Sequence, residues 1–193
     1  MCVTVEKYLQ AWINSLKQMK AQSDIVFLGD SLTYYGDFAS VFPNKVVCNL
    51  GLRGDTIQGI IDRMELVSVL EPKQVFLMIG INDVATCSME KFKELYGQLM
   101  DVVIEQNPSI ELIIQSVLPV NNADYTISCN NVQIKSCNSV IKGLSDNHNF
   151  QYIDLFSVYI KDVMDHGITK DGIHLSSKGY LKWYSILSDM ELK

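Results

Sequence analysis

Residues 24–36 read DIVFLGDSLTYYG, an apolar run that ends in a glycine, an acid and a serine. The first six residues have the Val- and Ile-rich composition of a strand that is buried on both faces, and a polar turn follows them. Similar apolar runs recur along the chain, and polar or glycine-rich residues follow each of them. The predicted strands are residues 24–29, 45–50, 74–80, 111–118 and 150–155.

Stretches with helical periodicity separate these strands. The predicted helices are residues 4–21, 56–70, 88–106, 131–147 and 176–190, with Ser88 and Ser176 as candidate N-caps. Repeated strand–helix alternation is typical of a parallel sheet between two helical layers, because parallel neighbours need a crossover that packs on a sheet face. The sequence therefore predicts an α/β fold, a three-layer α/β/α sandwich whose five parallel strands have the flavodoxin-like order 2-1-3-4-5.

Composition limits the partners that we expect. The length of 193 residues indicates a single domain over residues 1–193. The formal net charge is −6, from 16 basic and 22 acidic side chains, so nucleic acids and anionic membranes are not expected partners. No apolar run reaches the roughly 18–20 residues of a membrane span. The five cysteines form no C-x-x-C motif, so we expect reduced thiols and no metal site. These features favour a cytoplasmic location, or a secreted or periplasmic one if a signal peptide has been removed.

Polar residues follow the predicted strands, and parallel sheets bind ligands beyond the carboxyl ends of their strands. Ser31 in GDSL follows the first strand, Gly54 in GLRGDT the second, and Asn82 in GIND the third. The segment DGIHLS, with Asp171 and His174, comes after the fifth strand. We therefore expect these side chains to gather at one edge of the sheet.

Ser31 has two interpretations that the local sequence leaves open. A serine after a strand often caps the next helix, an interaction worth about 1 kcal/mol. As a nucleophile it would need a base, and His174 is a candidate because Asp171, three residues earlier, could hold its Nδ1–H and leave Nε2 free. His148 and His166 lie in polar segments and are expected in surface turns.

The remaining candidates are equally ambiguous by themselves. Gly54 either permits a turn with positive φ or lets a backbone N–H approach a reacting oxygen. Asn82 either closes a turn or donates its amide to an oxyanion. Tyr34, Tyr35 and Arg53 lie near these blocks and could line a pocket, with Tyr34 and Arg53 as the candidate substrate-binding residues, although packing or a place on the rim is an alternative for all three.

Together, the blocks FLGDSLT, NLGLRGDT, GIND and DGIHLS resemble, in order and spacing, the four sequence blocks of the SGNH (GDSL-type) serine esterases and lipases. The chain is most similar to short acylhydrolases of the platelet-activating-factor acetylhydrolase type. The resemblance implies that Ser31 is the nucleophile and His174 its base, oriented by Asp171. It also implies an oxyanion hole made by the backbone N–H groups of Ser31 and Gly54 and the amide of Asn82.

The resemblance further implies an ester hydrolase that needs no cofactor. The expected substrate is a short-chain acyl ester, first an O-acetyl ester of a carbohydrate or another small molecule. A lysophospholipase or thioesterase acting on longer chains is the alternative enzyme, and a carbohydrate- or partner-binding module is the non-enzymatic one. Residues 119–130 lie where family members vary their substrate loops, and the sequence does not specify an oligomeric state.

Overall fold

The computed structural model describes residues 3–163 and 167–190. A sheet of five parallel strands forms its centre, in the order β2-β1-β3-β4-β5. The strands are β1 (Ile25–Gly29), β2 (Val47–Gly51), β3 (Gln74–Met78), β4 (Glu111–Gln115) and β5 (Gln151–Ile153). The predicted α/β fold and its 2-1-3-4-5 strand order are confirmed.

Nine α-helices flank the sheet in the described part of the chain. They are α1 (Val3–Met19), α2 (Ser31–Tyr34), α3 (Ile57–Asp62), α4 (Glu65–Leu70), α5 (Ile81–Val84), α6 (Met89–Gln106), α7 (Asn131–Asn147), α8 (Leu155–Tyr159) and α9 (Ser177–Ser188). A short 3₁₀ helix, Phe38–Ser40, precedes β2. The short helices α2, α5 and α8 follow β1, β3 and β5 almost directly. The sequence predicts a short helical turn only after the fifth strand, where α8 lies.

The sheet is buried on both faces, as its strand composition predicts. In β1, Val26 and Leu28 pack into one hydrophobic core, whereas Ile25 and Phe27 pack into the other. Helices α1, α3, α4, α6 and α7 contribute to the first core, and α2, α8 and α9 contribute to the second. Each fully buried large apolar side chain stabilises the fold by about 1.5–3 kcal/mol, so both layers hold the sheet in place.

The observed helix ends refine the sequence prediction. Ser88 and Ser176 are confirmed as N-caps, because their hydroxyls accept from the backbone N–H groups of Lys91 and Gly179. The predicted helix 56–70 is instead two helices, α3 and α4, that are separated at Arg63 and Met64. Arg63 has non-helical dihedrals (φ −117°, ψ 16°) and turns its guanidinium into the protein interior.

The two histidines that were expected in surface turns, and the expected lack of a membrane span, can be compared with the structure. His148 lies in the turn after α7, where it stacks on Phe150 with ring centroids 5.6 Å apart. His166 lies outside the described residues. Among the residues that are described, no helix is both long enough and apolar enough to cross a membrane.

Candidate active site

Ser31 is the first residue of α2, directly beyond the carboxyl end of β1. The N-cap of this helix is Asp30, whose carboxylate accepts from the backbone N–H of Leu32 at 2.9 Å. The Ser31 hydroxyl therefore takes no part in capping, and only 8% of the residue is exposed. The neighbouring acid leaves the serine oxygen available for another partner.

That partner is His174, which comes from the loop between α8 and α9. Its Nε2 lies 2.9 Å from Ser31 Oγ, and its Nδ1 lies 2.7 Å from Asp171 Oδ2. The second carboxylate oxygen of Asp171 accepts the backbone N–H groups of Ile173 (3.0 Å) and His174 (2.8 Å). Because an ionised carboxylate only accepts, Nδ1 carries the proton and Nε2 can accept the Ser31 O–H.

The same hydrogen bonds keep Asp171 ionised. Partial burial by itself would raise the pKa of its carboxyl group. The bonds accepted from the His174 ring and from the two backbone N–H groups outweigh this effect, so the pKa lies below its usual value. The acid that orients the histidine therefore stays charged at neutral pH.

Three residues that line the cavity with Ser31 Oγ, Ser31 itself among them, have N–H hydrogens available. Within the described residues, the backbone N–H groups of Ser31 and Gly54 donate no hydrogen bond. Asn82 Nδ2 donates one of its two hydrogens to the Asp55 carbonyl at 2.7 Å, which identifies this atom as the nitrogen and leaves the second hydrogen available. All three line the same cavity, so they could bind an oxygen that develops negative charge.

Gly54 has a left-handed backbone conformation. Its φ is +72°, and a Cβ built on it would contact no atom within 4 Å. The left-handed turn therefore requires glycine for its dihedral angle and not for lack of space. The Asp55 N–H closes the turn on the Leu52 carbonyl at 3.2 Å. The Leu52 N–H in turn donates to the Gly29 carbonyl at 3.0 Å, which ties the turn to the end of β1.

A buried ion pair beneath this turn is a feature that sequence reasoning missed. The carboxylate of Asp55 contacts Arg63 Nε at 2.8 Å and Nη2 at 2.7 Å, and both side chains are 7% exposed or less. Arg63 Nη2 also donates to the Gly29 carbonyl at 3.2 Å. The pair links β1, the Gly54 turn and the end of α3. Asp55 is next to Gly54 in the sequence, but no local pattern pairs it with an arginine eight residues away.

A cavity of about 560 Å³ opens above the site. Ser31, Gly54, Asn82 and His174 line it together with Arg53. Other lining residues, most of them apolar and none singled out in the sequence, are Ile81, Ala85, Thr86, Ile127, Ser128, Cys129 and Ile173. The loop 119–130 thus contributes one wall of the cavity, through Ile127, Ser128 and Cys129. A hydrophobic wall beside a small set of polar groups is typical of small-molecule sites.

The two candidate binding residues have different positions. Arg53 lines the cavity, and its guanidinium lies 5.9 Å from the centroid of the Tyr35 ring. Tyr34 does not line it, and its ring packs edge-on against Tyr35 at 5.1 Å. Tyr35 is the aromatic residue that approaches His174, with ring centroids 5.9 Å apart in an edge-to-face arrangement.

Solved structures with the same fold come from several bacteria. A Streptococcus pneumoniae protein, described provisionally as a platelet activating factor, gives a TM-score of 0.80 at 20% identity and covers 98% of this chain and 99% of its own. A GDSL-like lipase from Bacteroides thetaiotaomicron gives 0.75 at 18% identity, covering 93% and 94%. Axe2, an acetylxylan esterase from Geobacillus stearothermophilus, gives 0.69 at 19% identity, covering 89% and 96%. At such low identities the likeness shows a shared fold.

Family membership follows from the sequence itself. No curated protein matches the chain. A profile of the GDSL-like lipase/acylhydrolase family, however, matches residues 27–182 and so includes every block from GDSL to DGIHLS. The resemblance inferred from those blocks is confirmed, and the chain belongs to the GDSL-like lipase/acylhydrolase family.

Proposed function

We propose that the protein hydrolyses short-chain acyl esters, with O-acetyl esters of carbohydrates or other small molecules as the first choice. The observation that carries this proposal is the unbroken line of hydrogen bonds from Ser31 through His174 to Asp171, at 2.9 and 2.7 Å. A serine hydroxyl becomes a useful nucleophile when a base accepts its proton and a third group orients that base.

The proposed reaction has two halves. His174 accepts the Ser31 proton as Oγ attacks the acyl carbonyl, and then donates it to the departing alcohol. Water next attacks the acyl-enzyme, and His174 again accepts the proton before returning it to Ser31. The N–H groups of Ser31, Gly54 and Asn82 stabilise the oxyanion in both halves. No step requires a group other than the side chains, the backbone and water.

The lining of the cavity suits an acyl group, because Ile81, Ile127 and Ile173 provide apolar contact beside the polar groups. The acetylxylan esterase that shares the fold adds support for an acetyl ester by analogy.

A series of p-nitrophenyl esters from acetate through butyrate and octanoate to laurate tests the proposal. We expect the highest kcat/KM for acetate or butyrate, and we expect Ser31→Ala to lose about 10⁴-fold or more in kcat. Labelling of Ser31 by a fluorophosphonate probe would identify the nucleophile directly. A maximum at octanoate or laurate would instead favour a lysophospholipase or thioesterase. Folded protein that neither labels nor turns over would indicate a binding module.

A further inference from the structure

Arg53 is a charged side chain that the proposed reaction does not use. It is exposed at the cavity wall, and no carboxylate of the described residues forms an ion pair with it. The Arg53 guanidinium carbon lies over the face of the Tyr35 ring, 5.9 Å from the ring centroid. Among the described residues, no Asp, Glu or Lys lines the cavity, and the permanent charge of the cavity wall therefore comes from Arg53.

The backbone fixes Arg53 beside the reacting atoms. It lies between Leu52 and Gly54 in the turn that hydrogen bonds to the Gly29 carbonyl. The buried pair of Asp55 and Arg63 anchors the end of that turn. The Cα of Arg53 is therefore held next to a proposed oxyanion donor, and the guanidinium can move only by rotation of the Arg53 side chain.

The position of Arg53 relative to His174 indicates which part of a substrate it would meet. Under the proposed function, His174 gives its proton to the leaving alcohol, so the alcohol portion lies on the histidine side of the site. The Tyr35 ring packs at right angles to the His174 ring and presents its face to Arg53, with both separations at 5.9 Å. Arg53 and His174 therefore pack against the same aromatic ring, and on this ground we place Arg53 on the alcohol side of the site.

We propose that the physiological ester carries a carboxylate on its alcohol portion and that Arg53 binds this group. The inference rests on the proposed function, because it uses the direction in which His174 delivers its proton. A guanidinium matches a carboxylate with two parallel N–H donors, and such a bond is stronger than one between neutral groups. The chain as a whole has a net charge of −6, so attraction of the anion has to come from this local cation.

Matched esters test the proposal. We would measure kcat/KM for 3-acetoxybenzoate and for 3-acetoxybenzamide, which share the acetyl group and the aromatic alcohol but differ in charge. Arg53→Gln should lower the benzoate-to-benzamide ratio about tenfold. Arg53→Lys should keep part of the ratio, because it retains the charge without the planar fork. Raising the salt from about 0.02 M to about 0.5 M should reduce the wild-type ratio, whereas the ratio of Arg53→Gln should not fall.

The control is Lys93→Gln, which removes one exposed positive charge from α6, away from the cavity. It should leave the ratio as in the wild type. A ratio that Arg53→Gln does not change would overturn the proposal, as would an equal loss on both esters. A preference that appears only between p-nitrophenyl hemisuccinate and p-nitrophenyl butyrate would also overturn it, because the anion would then lie on the acyl side. Absence of hydrolysis of every ester by folded, unlabelled wild-type protein would refute the proposed function itself, which is a separate result.

Discussion

At the scale of single residues, the Asn82 amide both forms a structural hydrogen bond and faces the cavity. One amide hydrogen donates to the Asp55 carbonyl at 2.7 Å, and this bond sets the orientation of the whole amide group. The other hydrogen is available to the cavity that Ser31 and His174 also line. Because this geometry is set before substrate arrives, the proposed reaction would need little reorganisation of Asn82 when charge develops on the substrate oxygen.

Replacement of Asn82 by alanine should therefore affect the chemical step more than binding. We expect Asn82→Ala to lower kcat about 10²–10³-fold with a much smaller change in KM, as measured by steady-state kinetics on p-nitrophenyl acetate. Asn14→Ala removes an asparagine from the exposed face of α1 and should leave both constants as they are. A rise in KM at constant kcat would show that Asn82 binds substrate without stabilising the oxyanion.

At the scale of elements, the loop 119–130 supports the loop that carries the histidine. The Asn121 backbone N–H donates to the Gly172 carbonyl at 2.9 Å, and the Tyr125 hydroxyl donates to the Lys170 carbonyl at 3.3 Å. Gly172 has a φ of +85°, and a Cβ there would lie 2.8 Å from carbons of Tyr125 and Ile127. The two loops thus pack too closely, and turn too sharply, for any other residue at this position.

An added methyl group at Gly172 should displace the histidine. We expect Gly172→Ala to lower kcat about 10- to 100-fold, because both the left-handed dihedral and the contact with Tyr125 push the loop away from Ser31. Gly143→Ala is a matched control, since its new Cβ meets no atom within 4 Å on α7. The control should keep its activity and gain about 0.5–1 kcal/mol in the free energy of unfolding. Equal activity of the two variants in ester hydrolysis would contradict this account of the loop.

At the scale of the whole molecule, carboxyl groups gathered at the sheet edge link stability to pH. Burial, with smaller contributions from the charges of Asp55 and Asp83, raises the pKa of Asp30 to about 7 against the opposing bond from Leu32. Burial likewise raises the pKa of Asp83 to about 6, although the Ile57 backbone N–H donates to it. The folded protein therefore binds protons at these sites more tightly than the unfolded chain, whose aspartates have pKa values of about 3.9.

Stability should fall as the pH rises through this window. Below about pH 4 both states are protonated, and above about pH 7 both are ionised, so the loss develops between those limits. Asp30→Asn keeps an acceptor for the Leu32 N–H but removes the charge. It should therefore raise the free energy of unfolding by the order of 1–3 kcal/mol at pH 8 and by much less at pH 5, as measured by urea denaturation. Asp101→Asn, on the exposed face of α6, is the control and should run parallel to the wild type. A constant difference at both pH values for Asp30→Asn would contradict the linkage.

The amino-acid sequence by itself determined the sheet, because buried strands of a parallel sheet are local runs of apolar residues and the helices between them have their own periodicity. It also determined the family, since four blocks in fixed order carry Ser31, Gly54, Asn82 and the Asp171–His174 pair within the matched region. Both inferences depend on residues that are close together in the chain or on the order of short segments.

Only the tertiary structure decided how those blocks act on one another. Ser31 and His174 are 143 positions apart, and their 2.9 Å contact depends on how α2 and the last loop pack at the sheet edge. The same holds for the Asp55–Arg63 pair at the break in the predicted helix 56–70, and for the wall formed by residues 127–129. Burial and contacts between separate segments of the chain set these features, and no local pattern of residues specifies which segments will meet.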